Sequence, residues 1–181
     1  MAMTPERWRT ERPHLPWPLT TATASSISTE QIYDVRWRRV RDGTRPTHGG
    51  FVLPPFQRPR AWDDERRARY VESLYLGLQG MPIVWNDAGE EDGPDGGAHP
   101  TEGWLIDGQQ RIGAILAYVE EGLEVFAETE HRHRWADLTK AEQGVFARIQ
   151  IPTVRIASSD ATHLEEIYRR LAFGGVPHVP E

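Results

Sequence analysis

The stretch WLIDGQQRIGAILAYVEEG, residues 104–122, decides the fold because its hydrophobic pattern changes once, at Asp107-Gly108. Three consecutive apolar residues precede this pair, which is typical of a short buried strand. After it, apolar side chains recur at helical spacing up to Gly122, at Ile112, Ile115, Leu116 and Val119. The stretch therefore predicts a strand, a tight corner and an amphipathic helix.

The corner after Asp107 has the groups that an anion-binding site needs. The first N–H groups of a helix have no partner inside the helix, and phosphate oxygens bind there. Gly108 lets a ligand approach the backbone closely. Two kinds of donor follow it, the side-chain amides of Gln109 and Gln110 and the planar guanidinium of Arg111, which matches phosphate geometry. An ordinary strand-to-helix turn would show the same local pattern.

The carboxylate of Asp107 is a poor direct ligand for phosphate because like charges repel. It could instead hold Mg²⁺, orient Arg111 or accept a hydrogen bond from a sugar hydroxyl. The sequence leaves these three roles open. It also leaves open the general base, for which the candidates are Asp34, Asp63, Asp64, Asp107 and His48.

Upstream of the corner, short apolar runs alternate with glycines and prolines. Phe51-Val52-Leu53 predicts a strand, and the prolines that follow make Phe56–Trp62 a loop. A helix is expected from Asp63 or Asp64, with inward side chains as far as Leu78 and a stop at Gly80. A buried strand over residues 81–85 and a long mobile loop over residues 86–102 come next.

The two ends of the chain have weaker signals. Residues 1–27 are rich in proline and are expected to form an irregular arm, and the Ser28/Gln31 capping pattern starts a short helix that ends near Gly43. Beyond the corner, a helix capped by Thr139, a strand over residues 149–156 and a helix capped by Asp160 are predicted. The sequence therefore predicts a mixed α/β fold, with residues 28–181 as a single domain.

The composition narrows the function classes. With 181 residues, 38% hydrophobic and 27% charged, the chain resembles an ordinary globular domain without a membrane span or signal peptide, and a cytoplasmic location is expected. The absence of cysteine excludes disulfides, thiolate nucleophiles and cysteine-ligated metals. The net charge of −6 hides ten arginines against four acids between Arg36 and Arg69, which indicates a polyanionic partner such as DNA. His131 and His133 have poor metal-ligand geometry and are expected at the surface.

Three motifs, in order, resemble one family. Residues 105–112 are similar to the DGQQR signature of the GmrSD-type family, within the ParB/sulfiredoxin-like superfamily. Residues 53–62 resemble its proline–aromatic–Gln-Arg…Trp box, and residues 167–175 resemble its closing helix and Gly-Gly turn. The sequence departs from the family pattern at two places. Gly113-Ala114 stands where the family usually has two threonines, and Ala172-Phe173 stands where it usually has Asn-Thr. The resemblance implies a small mixed sheet surrounded by helices.

The resemblance also implies a function. Relatives bind nucleotides and hydrolyse them or transfer their phosphate, so a nucleoside triphosphate such as ATP or GTP, with Mg²⁺, is the expected ligand. Asp107, Arg111 and Arg58 are the expected catalytic residues. The expected phosphate-binding residues are Gly108, Gln109, Gln110, Arg111, Gln57 and Arg60. Trp62 could stack on a base or fill the core, with the core role favoured, and His48 is a secondary acid or base.

Two functions from different classes fit this sequence. The first is a phosphoryl-transfer enzyme, a kinase or NTPase, in DNA modification, restriction or bacterial defence, with water or a hydroxymethylated DNA base as the acceptor. The second is a non-catalytic, nucleotide-gated module that binds DNA and regulates a partner. A protein partner or a homodimer is expected in either case, and nuclease activity is not expected.

Overall fold

The computed structural model describes residues 4–12, 14, 18–20, 22–34, 47–57, 61–89 and 99–173. Its helices are α1 (Pro5–Glu11), α2 (Glu30–Tyr33), α3 (Asp64–Tyr75), α4 (Gln109–Glu120), α5 (Lys140–Ala147) and α6 (Ala161–Phe173), with one turn of 3₁₀-helix at Trp135–Asp137. Its strands are β1 (Thr23–Ser28), β2 (Thr47–His48), β3 (Phe51–Val52), β4 (Ile83–Asn86), β5 (Leu105–Asp107) and β6 (Gln150–Ile156).

Four strands form a mixed sheet in the order β1-β6-β4-β5. β6 pairs antiparallel with β1 and parallel with β4, and β4 pairs antiparallel with β5. β2 and β3 form a separate hairpin. The predicted mixed α/β class is therefore confirmed, and the corner that follows β5 lies at one edge of the main sheet.

Side chains that alternate along the strands pack on the two faces of this sheet. Ile83 and Trp85 belong to the larger core cluster, which includes residues of α3, α4 and α5, whereas Val84 belongs to the smaller cluster with α6. In β5, Leu105 and Ile106 divide in the same way. Helices therefore cover both faces, and β4 and β5 are buried between them, as their apolar runs predict.

The helix α3 begins where predicted but ends earlier. Asp63 is its N-cap and accepts a hydrogen bond from the Arg66 N–H at 2.9 Å. Gly77, not Gly80, ends it with a φ of 78°, and the N–H groups of Gly77 and Leu78 donate back to the carbonyls of Leu74 and Ser73. This is the Schellman pattern, which needs a left-handed residue directly after the helix. Leu78, predicted to face inward, is 64% exposed.

The predicted irregular arm of residues 1–27 requires a correction. Pro5–Glu11 is helical, and Thr23–Ser28 is an edge strand paired over its whole length with β6. The strand is polar and mostly exposed, so its sequence has little hydrophobic pattern. Pairing with β6, far away in the sequence, supplies the hydrogen bonds that make it a strand.

The Ser28/Gln31 capping pattern was predicted to start a longer helix. Its two reciprocal hydrogen bonds are present, at 2.9 and 3.3 Å, but α2 is a single turn that ends at Tyr33. The rest of the predicted helix lies outside the described residues. The other capping predictions are confirmed, because Thr139 caps α5 and Asp160 accepts from the N–H groups at the start of α6.

The side chain of Asn86 connects the two ends of the predicted loop over residues 86–102 by hydrogen bonds. Its fully buried amide donates to the carbonyls of Thr101 and Ser158, both at 2.9 Å, and accepts from the Ser158 N–H at 3.0 Å. Asn86 itself is the last residue of β4 rather than part of the loop. Residues 90–98 lie outside the described part of the chain. The clamp holds the strand end of β4, and with it the neighbouring β5, in a fixed place.

Candidate functional site

Gly108 makes the corner between β5 and α4. Its φ is 114°, a left-handed conformation that side chains with a Cβ rarely adopt. A Cβ at this position would also lie 3.0 Å from the Ile83 side chain on the neighbouring strand. The glycine thus serves both the turn and the close packing of the helix on the sheet. As a result α4 starts immediately after the strand, and its first-turn N–H groups, which have no partner within the helix, lie at the sheet edge.

The side chains of Asp107 and Arg111 form an ion pair across the first turn of α4. Arg111 Nη2 lies 2.5 Å from Asp107 Oδ2 and also donates to the Pro82 carbonyl at 3.1 Å. Only 13% of the Arg111 side chain is exposed, against 46% for Asp107. This ion pair matches one of the three roles left open for Asp107, in which its carboxylate orients Arg111. Nη1 of Arg111 makes no hydrogen bond with the residues that the structure describes.

The two glutamines of the corner make different contacts. The Gln110 side-chain oxygen accepts from the N–H groups of Ala61 and Trp62, both at 3.1 Å, which ties the loop before α3 to the start of α4. Its NH₂ group makes no hydrogen bond within the described ranges. Gln109 is held through its backbone, because its carbonyl accepts from His48 Nε2 at 2.9 Å. The side-chain amide donors of both glutamines remain available at the corner.

Gln57 connects the second motif to β5. Its NH₂ group donates to the carbonyls of Leu105 and Ile106, at 2.8 and 3.1 Å. Both hydrogens of the amide are therefore used inside the protein. This geometry gives Gln57 a positioning role for the strand that leads into the corner, in contrast to the predicted direct contact with phosphate.

The third motif reaches the same place through aromatic packing. The ring of Phe56, in the second motif, lies 5.2 Å from that of Tyr168 on α6 and 5.6 Å from that of Trp104. Phe56, Trp104 and Tyr168 all pack in the smaller core cluster. Three segments that are distant in the sequence thus converge on β5 and the corner that follows it.

The remaining predicted site residues divide into two groups. Arg58, Arg60 and the Gly174-Gly175 turn lie outside the described residues. His48 is 3% exposed, so it is a buried partner of Gln109 rather than a solvent-facing acid or base. Trp62 packs edge-on against Tyr70 at 5.8 Å, as the favoured core role implies.

The candidates for a general base and a metal ligand are mostly engaged elsewhere. Asp63 caps α3, and Asp64 pairs with Arg67 at 3.0 Å. Asp34 follows the single turn of α2. Within the described ranges, no group of three or more acidic, histidine or cysteine side chains could hold a metal ion. Among the described residues, Asp107 is therefore the one carboxylate candidate for base and metal ligand that lies at the corner.

Sequence reasoning missed the roles of several side chains on α3, α4 and the segment after α4. Tyr70, on α3, has a buried hydroxyl without a hydrogen-bond partner, and burial raises its pKa to about 12. His133, predicted at the surface, is half-buried and contacts the hydroxyl of buried Tyr118 through Nε2 at 2.9 Å. Tyr70 and Tyr118 lie at apolar positions of amphipathic helices, so their spacing signals only burial. Gly113 and Ala114, which replace the family's threonines, are also buried.

Comparison with known proteins identifies the family. The family described as GmrSD restriction endonuclease, N-terminal domain, matches residues 40–171, more than half of the chain and nearly all of the three motifs. No curated protein and no solved structure matches the chain. Within the described part of the chain, every helix is too short or too polar to cross a bilayer. The chain therefore belongs to the GmrSD restriction endonuclease N-terminal domain family, whose context is DNA restriction.

Proposed function

We propose that the chain binds a nucleoside triphosphate at the corner Asp107–Arg111 and acts on its terminal phosphate. The observation that carries the proposal is the geometry of Gly108, which begins α4 directly after β5 and leaves first-turn N–H groups beside the guanidinium of Arg111. A helix N-terminus favours negative charge, and arginine adds a charge-assisted donor. Phosphate is the biological anion that best matches this pair of features.

Each residue of the corner has a role in this proposal. The amides of Gln109 and Gln110 and Nη1 of Arg111 donate to phosphate oxygens, while Asp107 keeps Arg111 in position. Arg58 and Arg60 would add positive charge as the phosphoryl group transfers. A Mg²⁺ ion would reach the site on the triphosphate, with Asp107 as its protein carboxylate, and would neutralise phosphate charge there. The terminal phosphoryl group passes to an acceptor oxygen, and the nucleoside diphosphate leaves.

The acceptor is proposed to be water or a hydroxymethylated base in DNA. The restriction context of the family and the arginine-rich segment from Arg36 to Arg69 both support DNA as the partner. Two arginines of this segment are already paired on α3, Arg67 with Asp64 and Arg69 with Glu65. These two guanidinium groups are therefore less available to a phosphate backbone.

A second candidate is a nucleotide-gated module without catalysis. The ion pair between Asp107 and Arg111 favours it, because it occupies the one carboxylate at the corner that could serve as a base. In this case nucleotide binding changes the affinity for DNA or a protein partner, and no phosphate is released. The two candidates share the binding site and differ only in turnover.

Incubation with γ-labelled ATP or GTP and Mg²⁺ separates the candidates. It should be done with no DNA, with unmodified DNA and with hydroxymethylated DNA. Free phosphate indicates an NTPase, labelled DNA indicates a kinase, and nucleotide binding by calorimetry without either product indicates a gated module. No binding of any nucleotide to folded protein contradicts the proposal altogether.

The variant Arg111→Ala should remove the signal in this assay. Loss of one donor to developing negative charge typically costs about 2.7–4 kcal/mol, or roughly 10²–10³ in rate. Arg169→Ala is the matched control, because Arg169 forms an ion pair of the same spacing with Glu165 on α6 but is 61% exposed. Equal loss in both variants would point to a general effect on the fold.

A further inference from the structure

Two buried polar atoms on α3 and α4 have no hydrogen-bond partner among the residues that the structure describes. They are the Tyr70 hydroxyl, on α3, and Nε of Arg111, on α4. The positive charge of Arg111 acts on Tyr70 and lowers its pKa, against the larger effect of burial, which raises it to about 12. The phenol and the guanidinium are therefore electrostatic neighbours, and the phenol stays protonated at neutral pH.

The two residues before the cap of α3, Ala61 and Trp62, contact both Tyr70 and the corner. The ring of Trp62 packs on Tyr70, and the N–H groups of Ala61 and Trp62 are held by the side-chain oxygen of Gln110. Gln110 and Arg111 are consecutive residues of the DGQQR motif. The loop thus joins Tyr70 to the corner through direct contacts.

An unmade hydrogen bond in a buried place costs free energy, so each such atom calls for an explanation, of which a bound ion is one. Nε of Arg111 can only donate, and the protonated hydroxyl of Tyr70 can donate as well. The group that satisfies both is an acceptor oxygen. A negatively charged oxygen is the strongest such acceptor, because a bond from a charged donor to it is charge-assisted.

We propose that Tyr70 is a further phosphate-binding residue of the site, which donates its hydroxyl to a phosphate oxygen together with Nε of Arg111. The inference rests on the proposed function. Because both atoms are sealed from solvent, the Trp62 ring that packs on Tyr70 shifts when the triphosphate binds. Tyr70 thereby couples the position of the Trp62 ring to occupation of the corner.

The test is Tyr70→Phe, with binding of MgATP, MgGTP and inorganic tripolyphosphate measured by calorimetry. We expect the dissociation constant of whichever probe binds the unaltered chain to rise about tenfold or more, because a hydrogen bond to a charged group is lost. Without any of these probes, Tyr70→Phe should unfold at the same or a higher temperature, because it removes a buried hydroxyl that has no partner. If Tyr70 had only a structural role, Tyr70→Phe would not weaken binding while its melting temperature stayed the same or rose.

Tyr75→Phe is the matched control on the same helix. The Tyr75 hydroxyl is hydrogen-bonded to that of Tyr118 at 2.9 Å, so its loss should lower stability and leave binding unchanged. If Tyr70→Phe binds the probes as tightly as the unaltered chain does, the inference about Tyr70 is wrong but the proposed function is not. The same holds if both ATP and tripolyphosphate bind the unaltered chain and Tyr70→Phe weakens binding of ATP but not of tripolyphosphate. Failure of all three probes to bind the unaltered folded chain overturns the proposed function instead.

Discussion

At the level of single residues, two constraints require glycine at position 108, the positive φ of the corner and the close packing of the corner on β4. Gly108→Ala should lower the free energy of unfolding by about 1–3 kcal/mol, because alanine is strained at positive φ. The contact with Ile83 adds to this cost. Urea unfolding without nucleotide measures the effect.

Gly144→Ala is the control for this substitution. Gly144 lies inside α5, and an added Cβ would meet only the flexible end of the Arg148 side chain, at 3.2 Å. Alanine has a higher helix propensity than glycine, so this variant should gain about 0.5–1 kcal/mol. Equal and small effects at both positions would show that the conformation of Gly108 is not required.

The ion pair at the corner is also decided at the residue scale. Asp107 and Arg111 are four residues apart, but Asp107 lies on β5 and only Arg111 lies on α4, so spacing alone left their contact as one of three possible roles for Asp107. Burial of Arg111 and its bond to the Pro82 carbonyl depend on the strand beside it. The sequence therefore singled out both residues of the pair, and the neighbouring strand decided how they are held; their part in a nucleotide site stays a prediction.

At the level of elements, the cap of α5 makes stability depend on pH. The Thr139 hydroxyl and N–H donate to the Glu142 carboxylate at 2.7 and 2.8 Å, which lowers the pKa of Glu142 below its ordinary 4.5. A carboxyl group whose pKa is lower in the folded chain stabilises fully above its ordinary pKa and loses this contribution as pH falls through the lowered value. Glu142→Gln should therefore be less stable than the unaltered chain at neutral pH.

The difference in free energy of unfolding between Glu142→Gln and the unaltered chain should become smaller below pH 4.5, as the Glu142 carboxylate becomes protonated. Urea midpoints measured across this range give the comparison. Thr139→Ala removes the hydroxyl donor but keeps the backbone N–H donor, so its stability difference from the unaltered chain should also narrow, by a smaller amount. A difference that stays constant with pH would exclude the capping carboxylate as its source.

The clamp at Asn86 joins three elements, the end of β4, the residues before β5 and the segment between β6 and α6. Asn86→Ala should lower the free energy of unfolding by about 1–3 kcal/mol, because the Ser158 N–H loses its acceptor and the carbonyls of Thr101 and Ser158 each lose one of two donors. Chemical denaturation provides the measurement. Ser159→Ala, at an exposed neighbouring position, should stay within about 0.5 kcal/mol of the unaltered chain.

At the scale of the whole molecule, β1 completes the sheet from the N-terminal side. A chain that begins at Thr20 keeps the strand and should unfold cooperatively. A chain that begins at Thr29 loses the pairing with β6 and the burial of Ile27, and leaves β6 as an exposed edge. It should melt at a lower temperature or aggregate, as circular dichroism and light scattering would show. Identical melting of the two chains would mean that β1 does not contribute to the sheet.

The sequence predicted the segments whose signals are local. The corner at Gly108, α4, the caps of α5 and α6 and the buried strands all have their determining residues within a few positions of each other. The end of α3 was placed three residues too late, because Gly77 and Gly80 are equally good stop signals and only the observed hydrogen bonds distinguish them. The site residues of the corner were identifiable for the same local reason.

The sequence by itself determined the mixed α/β class, the family and the turn from β5 into α4, because hydrophobic period and glycine placement act over short distances. Only the tertiary structure decided that polar β1 joins the sheet, that Gln57 supports β5 and that Trp62 packs on Tyr70. These depend on contacts between segments far apart in the chain. A polar side chain shows in its sequence that it needs a partner, but folding alone determines which partner it meets.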